Sequence, residues 1–287
     1  MEELVVYMLS SEICLENATK LHNSLQTKFI GRTILWFRNV SSTQEIAVSC
    51  IESKGIQISH GAVVISDSQN DGRGRRGNKW ISPDGGIWLS IILRPKISVN
   101  KYTLLPFATS IAVSEAIDRL TCLQSKVKWP NDILINGKKV CGILVEMTID
   151  SQTIEYAIVG IGLNANVNTS EISARLGDLQ GLYPVTSLKE ESCGVTTNRI
   201  QIIKCILEEF EKNYIRLEEV NSNQIIEKWK EKSEPIISKS IEITRGTEIY
   251  TGKVLDVDSD GALLVLRDDE CQLEKIVSAD CVVRVTE

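Results

Sequence analysis

Over the first two thirds of the chain, short continuous apolar runs alternate with segments whose apolar residues recur at helical spacing; after residue 235 only short strand-like runs remain. Ile34-Leu35-Trp36-Phe37 reads as a strand. Ser41-Ser42-Thr43 follows, then apolar residues at helical spacing through Ile51, and Ser42 three residues ahead of Glu45 predicts a capping box. Ala62 to Ile65 is a short buried strand, and Gly86 to Leu93 a stronger one stopped by Pro95. Leu104 to Leu120 carries a helix through Ile111, Ala112, Ala116, Ile117 and Leu120, with Pro106 suited to its first turn.

A hairpin comes next. Asp132-Ile133-Leu134-Ile135 and the run from Lys138 to Glu146 flank Asn136-Gly137, a strong turn signal between apolar runs. A two-residue turn predicts Ile135 opposite Lys138, Leu134 opposite Lys139 and Asp132 opposite Cys141. Asp132 and Lys139 then share a face as diagonal neighbours, about 7–8 Å apart at their backbones. A third strand, Ile154 to Ile161, runs into Gly160-Ile161-Gly162-Leu163-Asn164. The middle of the chain thus reads as an antiparallel or mixed sheet with helices on one side. A long helix is expected from Thr196 to Val220 and a shorter one from Asn223 to Lys232. Beyond Glu234-Pro235, strands at Ile241–Ile243, Glu248–Leu255, Ala262–Leu266 and Cys281–Val285, with a turn at Asp258–Gly261, predict a small barrel of about 50 residues.

Composition narrows the function classes. With 287 residues, 43% hydrophobic and 24% charged, the chain has the make-up of a globular protein with one large domain and a small one. Its net charge of -6 argues against a general nucleic-acid binder. No apolar run reaches the length of a membrane span, and Met1-Glu2-Glu3-Leu4 lacks the basic start of a secretory signal. The eight cysteines (14, 50, 122, 141, 193, 205, 271 and 281) show no C-x-x-C spacing, and His22 and His60 are the only histidines. That argues against a zinc site or a disulfide framework and for reduced thiols in a cytoplasmic protein.

Three polar clusters stand outside these patterns. From Asp71 to Trp80 the chain places three glycines among three arginines. Glycine lets backbone N–H groups approach an anion, and arginine offers a fixed, planar cation. The segment also fits G-x-G-x-x-G, but polar residues separate it from the Ala62–Ile65 strand, and Ile81-Ser82-Pro83-Asp84-Gly85-Gly86 cannot open a helix. A dinucleotide turn is therefore rejected; on these residues alone a phosphate cradle and a solvated basic loop stay equally open. The second cluster is Lys128-Trp129-Pro130-Asn131-Asp132 with Lys139 across the turn, and the third is Gly160 to Asn164.

Together these motifs resemble the biotin–protein ligases. Ser68-Gln69 through Gly72-Arg73-Gly74-Arg75-Arg76-Gly77 to Trp80 is similar to that family's adenylate-binding loop. Lys128-Trp129-Pro130-Asn131-Asp132 matches its Lys-Trp-Pro-Asn-Asp signature, and Lys139 with Gly142-Ile143-Leu144-Val145-Glu146 its following segment. The resemblance implies an α+β fold with a class II synthetase-like mixed or antiparallel sheet and a C-terminal SH3-like β-barrel. It divides the chain into an N-terminal segment of unassigned role (1–30), a catalytic domain (31–234) and the barrel (235–287). It implies that ATP, with Mg²⁺, activates biotin as biotinyl-5′-adenylate, and that the biotinyl group then passes to a lysine of a biotin carboxyl carrier domain.

By the same resemblance, Lys139, Arg75, Asp132 and Asn131 are catalytic. Ser42, Thr43 and Gln69 hold the ureido ring, and Arg73, Lys139 and Gly142 complete the biotin site. Gly72, Arg73, Gly74, Arg75, Arg76, Gly77, Trp80, Asn131 and Asn164 serve the nucleotide, with Trp80 packed near the adenine. No protein side chain is assigned to a metal.

Plainer readings sit beside these. Asp132 and Lys139 read equally as a cross-strand ion pair, Ser42 and Thr43 as helix caps, and Gly160 and Gly162 as backbone bends. Trp129-Pro130 also reads as a strand closure. Arg76 and Lys79 taken alone are solvated charge, and Cys141 is a small buried hydrophobe rather than a nucleophile. Asn78 departs from the family, which often has a further basic residue there. Only some thirty residues precede the first catalytic strand, and Leu4 to Phe29 shows no two-helix DNA reader. No DNA or membrane partner is expected; the sequence does not give the oligomeric state, and the resemblance leaves open a homodimer through the catalytic sheet, with the Trp88 strand as its candidate edge. The rival readings are a lipoate or octanoate ligase on the same fold, a non-catalytic sensor of biotin or nucleotide, and nucleic-acid binding through Arg73–Arg76.

Overall fold

The computed structural model describes residues 13–53, 58–95, 99–150, 153–176, 184–219, 223–269, 271–277 and 282–285. Its larger sheet holds β1 (Ile34–Val40), β2 (Ala62–Gln69), β3 (Ile87–Leu93), β4 (Ser125–Lys128), β5 (Asp132–Ile135), β6 (Lys138–Asp150) and β7 (Thr153–Leu163). These lie in the order β1-β2-β3-β7-β6-β5-β4, with β1 and β2 parallel and every other neighbour antiparallel. The helices are α1 (Leu15–Ser24), α2 (Thr43–Glu52), α3 (Leu105–Leu120), α4 (Thr169–Leu176), α5 (Leu188–Glu191), α6 (Arg199–Glu218) and α7 (Asn223–Lys232).

Strand alternation sorts the sheet into two faces. Val63, Ile65, Leu89, Ile91, Val159 and Ile161 join one core with apolar residues of α1, α3, α6 and α7. Phe37, Val64, Ile92 and Ile158 join a second core with Ile46, Ala47 and Cys50 of α2. Helices therefore gather on one face, and α2 covers part of the other. β3 is buried at all seven positions, as expected of an apolar run covered on both sides. The part of the second face that α2 leaves open carries Gly142, Gly160 and Gly162 on β6 and β7.

Several expectations change on inspection. The β5–β6 hairpin pairs Ile135 with Lys138 and Leu134 with Lys139 as predicted, but then slips: Ile133 faces Cys141, and Asp132 faces Gly142 rather than Cys141. The cause is a β-bulge, which puts one extra residue into β6 and turns the strand. β3 is an interior strand between β2 and β7, with Trp88 fully buried, so the Trp88 strand is not an edge. The edges are β1, bridged by Ile13 at Phe37, and β4, bridged by Ser233 at Val127. The long helix begins at Arg199 rather than Thr196, because the Asn198 side chain accepts the Gln201 N–H and caps it there. Of the segment from Leu4 to Phe29, Leu15–Ser24 forms α1, packed on β1 and α6, and residues 4–12 lie outside the described residues.

The C-terminal part forms a second sheet, β8 (Ser240–Arg245), β9 (Glu248–Val257), β10 (Leu263–Arg267), β11 (Leu273–Ile276) and β12 (Val282–Val285), antiparallel in the order β11-β10-β9-β8-β12. This matches the small barrel-like domain expected there. It meets the first sheet through the Asp258–Gly261 turn. Trp129 Nε1 donates to the Gly261 carbonyl at 2.9 Å, and Thr103 Oγ1 to the Asp260 carbonyl at 2.6 Å. Gly261 has φ +82°, and a Cβ there would stand 2.8 Å from a Phe107 ring carbon. Gly246 also has positive φ, +60°, but nothing within 4 Å of its would-be Cβ. Gly261→Ala is thus expected to lower the urea-unfolding free energy by about 1–3 kcal/mol, and Gly246→Ala by clearly less; equal losses would show that Gly261 does not dock the two sheets.

Candidate active site

The open part of the second face is the floor of a cavity of about 730 Å³. Its first wall is the N-terminus of α2. Ser42 has extended backbone and occupies the N-cap position, yet its side chain caps nothing; the expected capping box is absent. Glu45 is engaged elsewhere, accepting from Ser41 Oγ at 2.5 Å and pairing with Arg73. Gln69 at the end of β2 supplies the cap instead, its Oε1 accepting the Thr43 N–H at 2.8 Å. Gln69 is fixed in turn by donating from Nε2 to Ser82 Oγ, and Thr43 Oγ1 accepts from Ser90 Oγ, at 2.7 and 2.8 Å. The Ser42 hydroxyl is left buried at the cavity wall with no partner. An unmet buried polar group of this kind costs about 1–3 kcal/mol, which a ligand with matching polar atoms would recover.

The second wall is the glycine–arginine loop. Its two arms bridge at Arg73 and Lys79, and Arg76 and Gly77 turn the tip with φ +58° and +74°. Gly74 N–H donates to the Asn78 carbonyl and Trp80 N–H to the Gly72 carbonyl, at 2.7 and 2.8 Å. Gly72 does not line the cavity; it lets the arms pass, since a Cβ there would meet the Trp80 carbonyl at 2.4 Å. Trp80 lies on the cross-strand glycine pair of the floor, where a Cβ on Gly162 would stand 2.4 Å, and on Gly142 3.0 Å, from its ring.

The third wall comes from the hairpin. Arg75 Nη1 donates to Asn131 Oδ1 at 3.1 Å, and Asn131 Nδ2 donates to the Ile143 carbonyl at 2.6 Å. Asp132, set opposite Gly142 by the bulge, pairs with Lys139 on the same face, Nζ to Oδ1 2.7 Å. Lys139 Nζ also stands 5.2 Å from the centre of the Trp80 ring. Asn164 is buried behind this wall, donating to the Thr186 carbonyl at 3.0 Å while its Oδ1 has no partner. Cys141 faces the helices, and burial pushes its thiol up, which suits a packed residue rather than a nucleophile.

Ser42, Thr43, Gln69, Arg73, Gly74, Arg75, Arg76, Gly77, Trp80, Asn131, Asp132, Lys139, Gly142 and Asn164 therefore line one cavity. The expectation of Trp80 beside an adenine meets an indole resting on Gly142 and Gly162, at the expected biotin end. The lining without an assigned role includes three polar or charged side chains of note: Gln44, Lys79 and Lys128. Gln44, in the first turn of α2, donates to Glu146 Oε2 at 2.8 Å and leaves Oε1 buried and unpartnered next to Gly160. Lys128 was visible as the first residue of its motif; burial, the largest influence, holds its ammonium down to about 8. Among the described residues, Arg73, Arg75, Arg76, Lys79, Lys128 and Lys139 thus line the cavity with one carboxylate, Asp132. Such a cavity favours an anion of several charges.

Known proteins resemble this chain in sequence and fold. Residues 36–164 match the family model described as the biotin/lipoate A/B protein ligase family, and residues 236–284 that of the biotin protein ligase C-terminal domain. The bifunctional ligase/repressor BirA of Bacillus spizizenii is 34% identical over 263 residues, covering 91% of this chain and 77% of that protein. This chain belongs to the biotin–protein ligase family. A further member, the biotin–[acetyl-CoA-carboxylase] ligase of Paracoccus denitrificans, is 37% identical over 110 residues, 37% of this chain and 45% of its own. The biotin protein ligase of Aquifex aeolicus, solved in complex with biotin and ATP, superposes with a TM-score of 0.72 at 28% identity, covering 89% of this chain and 100% of that one.

In this family member Trp80 needs both floor glycines. Gly162→Ala is expected to displace the indole, since overpacking costs about 1–3 kcal/mol. The check is acrylamide quenching of tryptophan emission: quenching should rise in Gly162→Ala, and the rise should vanish when Trp80→Phe is added.

Proposed function

We propose that the chain activates biotin with ATP to biotinyl-5′-adenylate and transfers the biotinyl group to a lysine of a biotin carboxyl carrier domain. One observation carries the reading. A single cavity joins an unpartnered hydroxyl beside Thr43 and Gln69 to a cluster of cations at Arg75 and Lys139. A ureido ring can meet the first, and a carboxylate with a triphosphate the second.

In the first step a biotin carboxylate oxygen attacks the α-phosphorus, the bond to the β-phosphate oxygen breaks, and pyrophosphate leaves with the electron pair. Charge builds on the α-phosphate, and Lys139 and Arg75 stabilise it, with Arg73 and Arg76 in the loop above. Magnesium carried by the triphosphate would screen charge as pyrophosphate departs. Among the described residues no group of three or more His, Cys, Asp or Glu side chains is placed to hold that ion. In the second step the lysine nitrogen attacks the anhydride carbonyl, the carbon–oxygen bond to phosphate breaks, and AMP leaves. Asp132 accepts the amine proton. The Lys139–Asp132 pair of the resting site links the steps: when Lys139 turns to phosphate, Asp132 is freed for the amine. Asn131 holds Arg75, and Gly74 and Gly77 let the loop close.

Residues 31–234 carry this chemistry and 235–287 brace it, a division supported by the two sheets and the Trp129–Gly261 hydrogen bond. A homodimer through the larger sheet would use β1 or β4. Free cysteines, seven among the described residues, suit a reducing cytoplasm. Among the described residues no helix is long and apolar enough to cross a membrane. The net charge of -6 speaks against DNA as a partner. The lipoate or octanoate reading shares the first family model, while the C-terminal match and the arginine loop favour biotin.

Isotope exchange between pyrophosphate and ATP is expected with biotin and absent with octanoate; exchange with octanoate alone would overturn the biotin assignment. Lys139→Ala should cut biotin-dependent exchange by about 100-fold or more. Asp132→Asn should slow transfer from preformed adenylate more than it slows exchange, and equal losses would remove Asp132 from the second step.

A further inference from the structure

Lys128 closes β4 directly opposite Asp132 on β5. Val127 beside it is fully buried in the helix-side core, so strand alternation turns Lys128 to the opposite face, where it lines the cavity with Arg75, Asn131 and Lys139. Its surroundings differ from those of the loop arginines. Burial disfavours its charge most, Asp132 supports the charge, Lys139 opposes it, and Glu234 supports it. Glu234 is brought there by the chain leaving α7, its N–H donating to the Val127 carbonyl at 2.8 Å. Lys128 is thus a half-buried amine among charges from neighbouring segments, on the wall of a cavity lined mostly by cations.

We propose that Lys128 is a further nucleotide-binding residue, which meets the polyphosphate of the incoming nucleotide and takes up a proton as it does so. The inference rests on the ligase reading for the identity of the phosphate donor. No covalent bond changes except one N–H: the proton comes from solvent to Lys128 Nζ, and the resulting ammonium donates to phosphate oxygen. Arginine at Arg73 or Arg75 cannot behave this way, because its charge is fixed. In the resting site burial, the main cause, holds the ammonium down to about 8. A polyphosphate favours the charged form, so the complex binds the proton more tightly than the free protein. By linkage, nucleotide affinity is full below about 8 and falls as pH rises through it.

The test uses the full chain with saturating biotin, magnesium and α,β-methylene-ATP, whose methylene bridge blocks adenylate formation. Titration calorimetry in buffers of different ionisation enthalpy, between about pH 7 and about pH 9, reads the protons taken up on binding. The wild type should show uptake that grows with pH. Lys128→Arg should bind with that uptake removed, and Lys128→Met should bind about 10-fold or more weakly, as expected for a lost charged hydrogen bond. Thermal melts of both variants establish that they are folded. Uptake that persists unchanged in Lys128→Arg, or affinity unchanged in Lys128→Met, would overturn the role of Lys128 alone. Failure of the wild type to bind the analogue would overturn the ligase reading as well.

Discussion

The ion pair between Lys139 and Asp132 sits where the cations of the cavity meet the one carboxylate that lines it among the described residues. Without an anionic ligand, so many like charges around a concave wall repel one another, and Asp132 relieves that repulsion at its centre. A phosphate competes for the same ammonium. The resting pair is therefore a substitute for the ligand, and what displaces it also uncovers the carboxylate. The pair spans the hairpin bulge, which sets Asp132 at the cross-strand level of Gly142.

The rest of the fold keeps that centre in place. Glycines on β6 and β7 flatten the floor so that Trp80 rests on it, and α2 leaves one hydroxyl, on Ser42, facing the cavity without a partner. Behind the floor, Cys141, Ile143, Ile161 and Leu163 turn to the helices and form the main core. From the far side, the barrel turn holds Trp129 through the Gly261 carbonyl, next to Asn131 and Asp132. The motif Lys128–Asp132 is thereby gripped by both sheets, which gives the C-terminal strands a structural reason to matter for chemistry they do not touch.

Much of this was legible in the order of residues. Elements with a strong period, such as Leu105–Leu120 and Asn223–Lys232, appear within a residue or so of where periodicity placed them. The Asn-Gly turn fixed the first two pairs of the hairpin, but a bulge leaves no mark in the apolar pattern, so the Asp132 register was lost there. The capping box failed because Glu45 had a better partner far along the chain, in Arg73. β11 escaped because Leu-Glu-Lys-Ile alternates weakly and keeps Leu273 exposed. The position of β3 depends on the crossover that inserts β7 beside it, which is a property of topology and not of the strand's own residues. Motif order assembled the candidate site; the unusual setting of Lys128 needed burial and neighbours from distant segments to be seen.

The most direct measurement is a crystal structure of the chain with biotin, magnesium and α,β-methylene-ATP. The expected density places the ureido ring against Ser42 and Thr43, with the biotin carboxylate and α-phosphate together within hydrogen-bond reach of Lys139 and Arg75. Ligands bound elsewhere, with Lys139 still paired to Asp132 and Arg75 turned to solvent, would contradict the account.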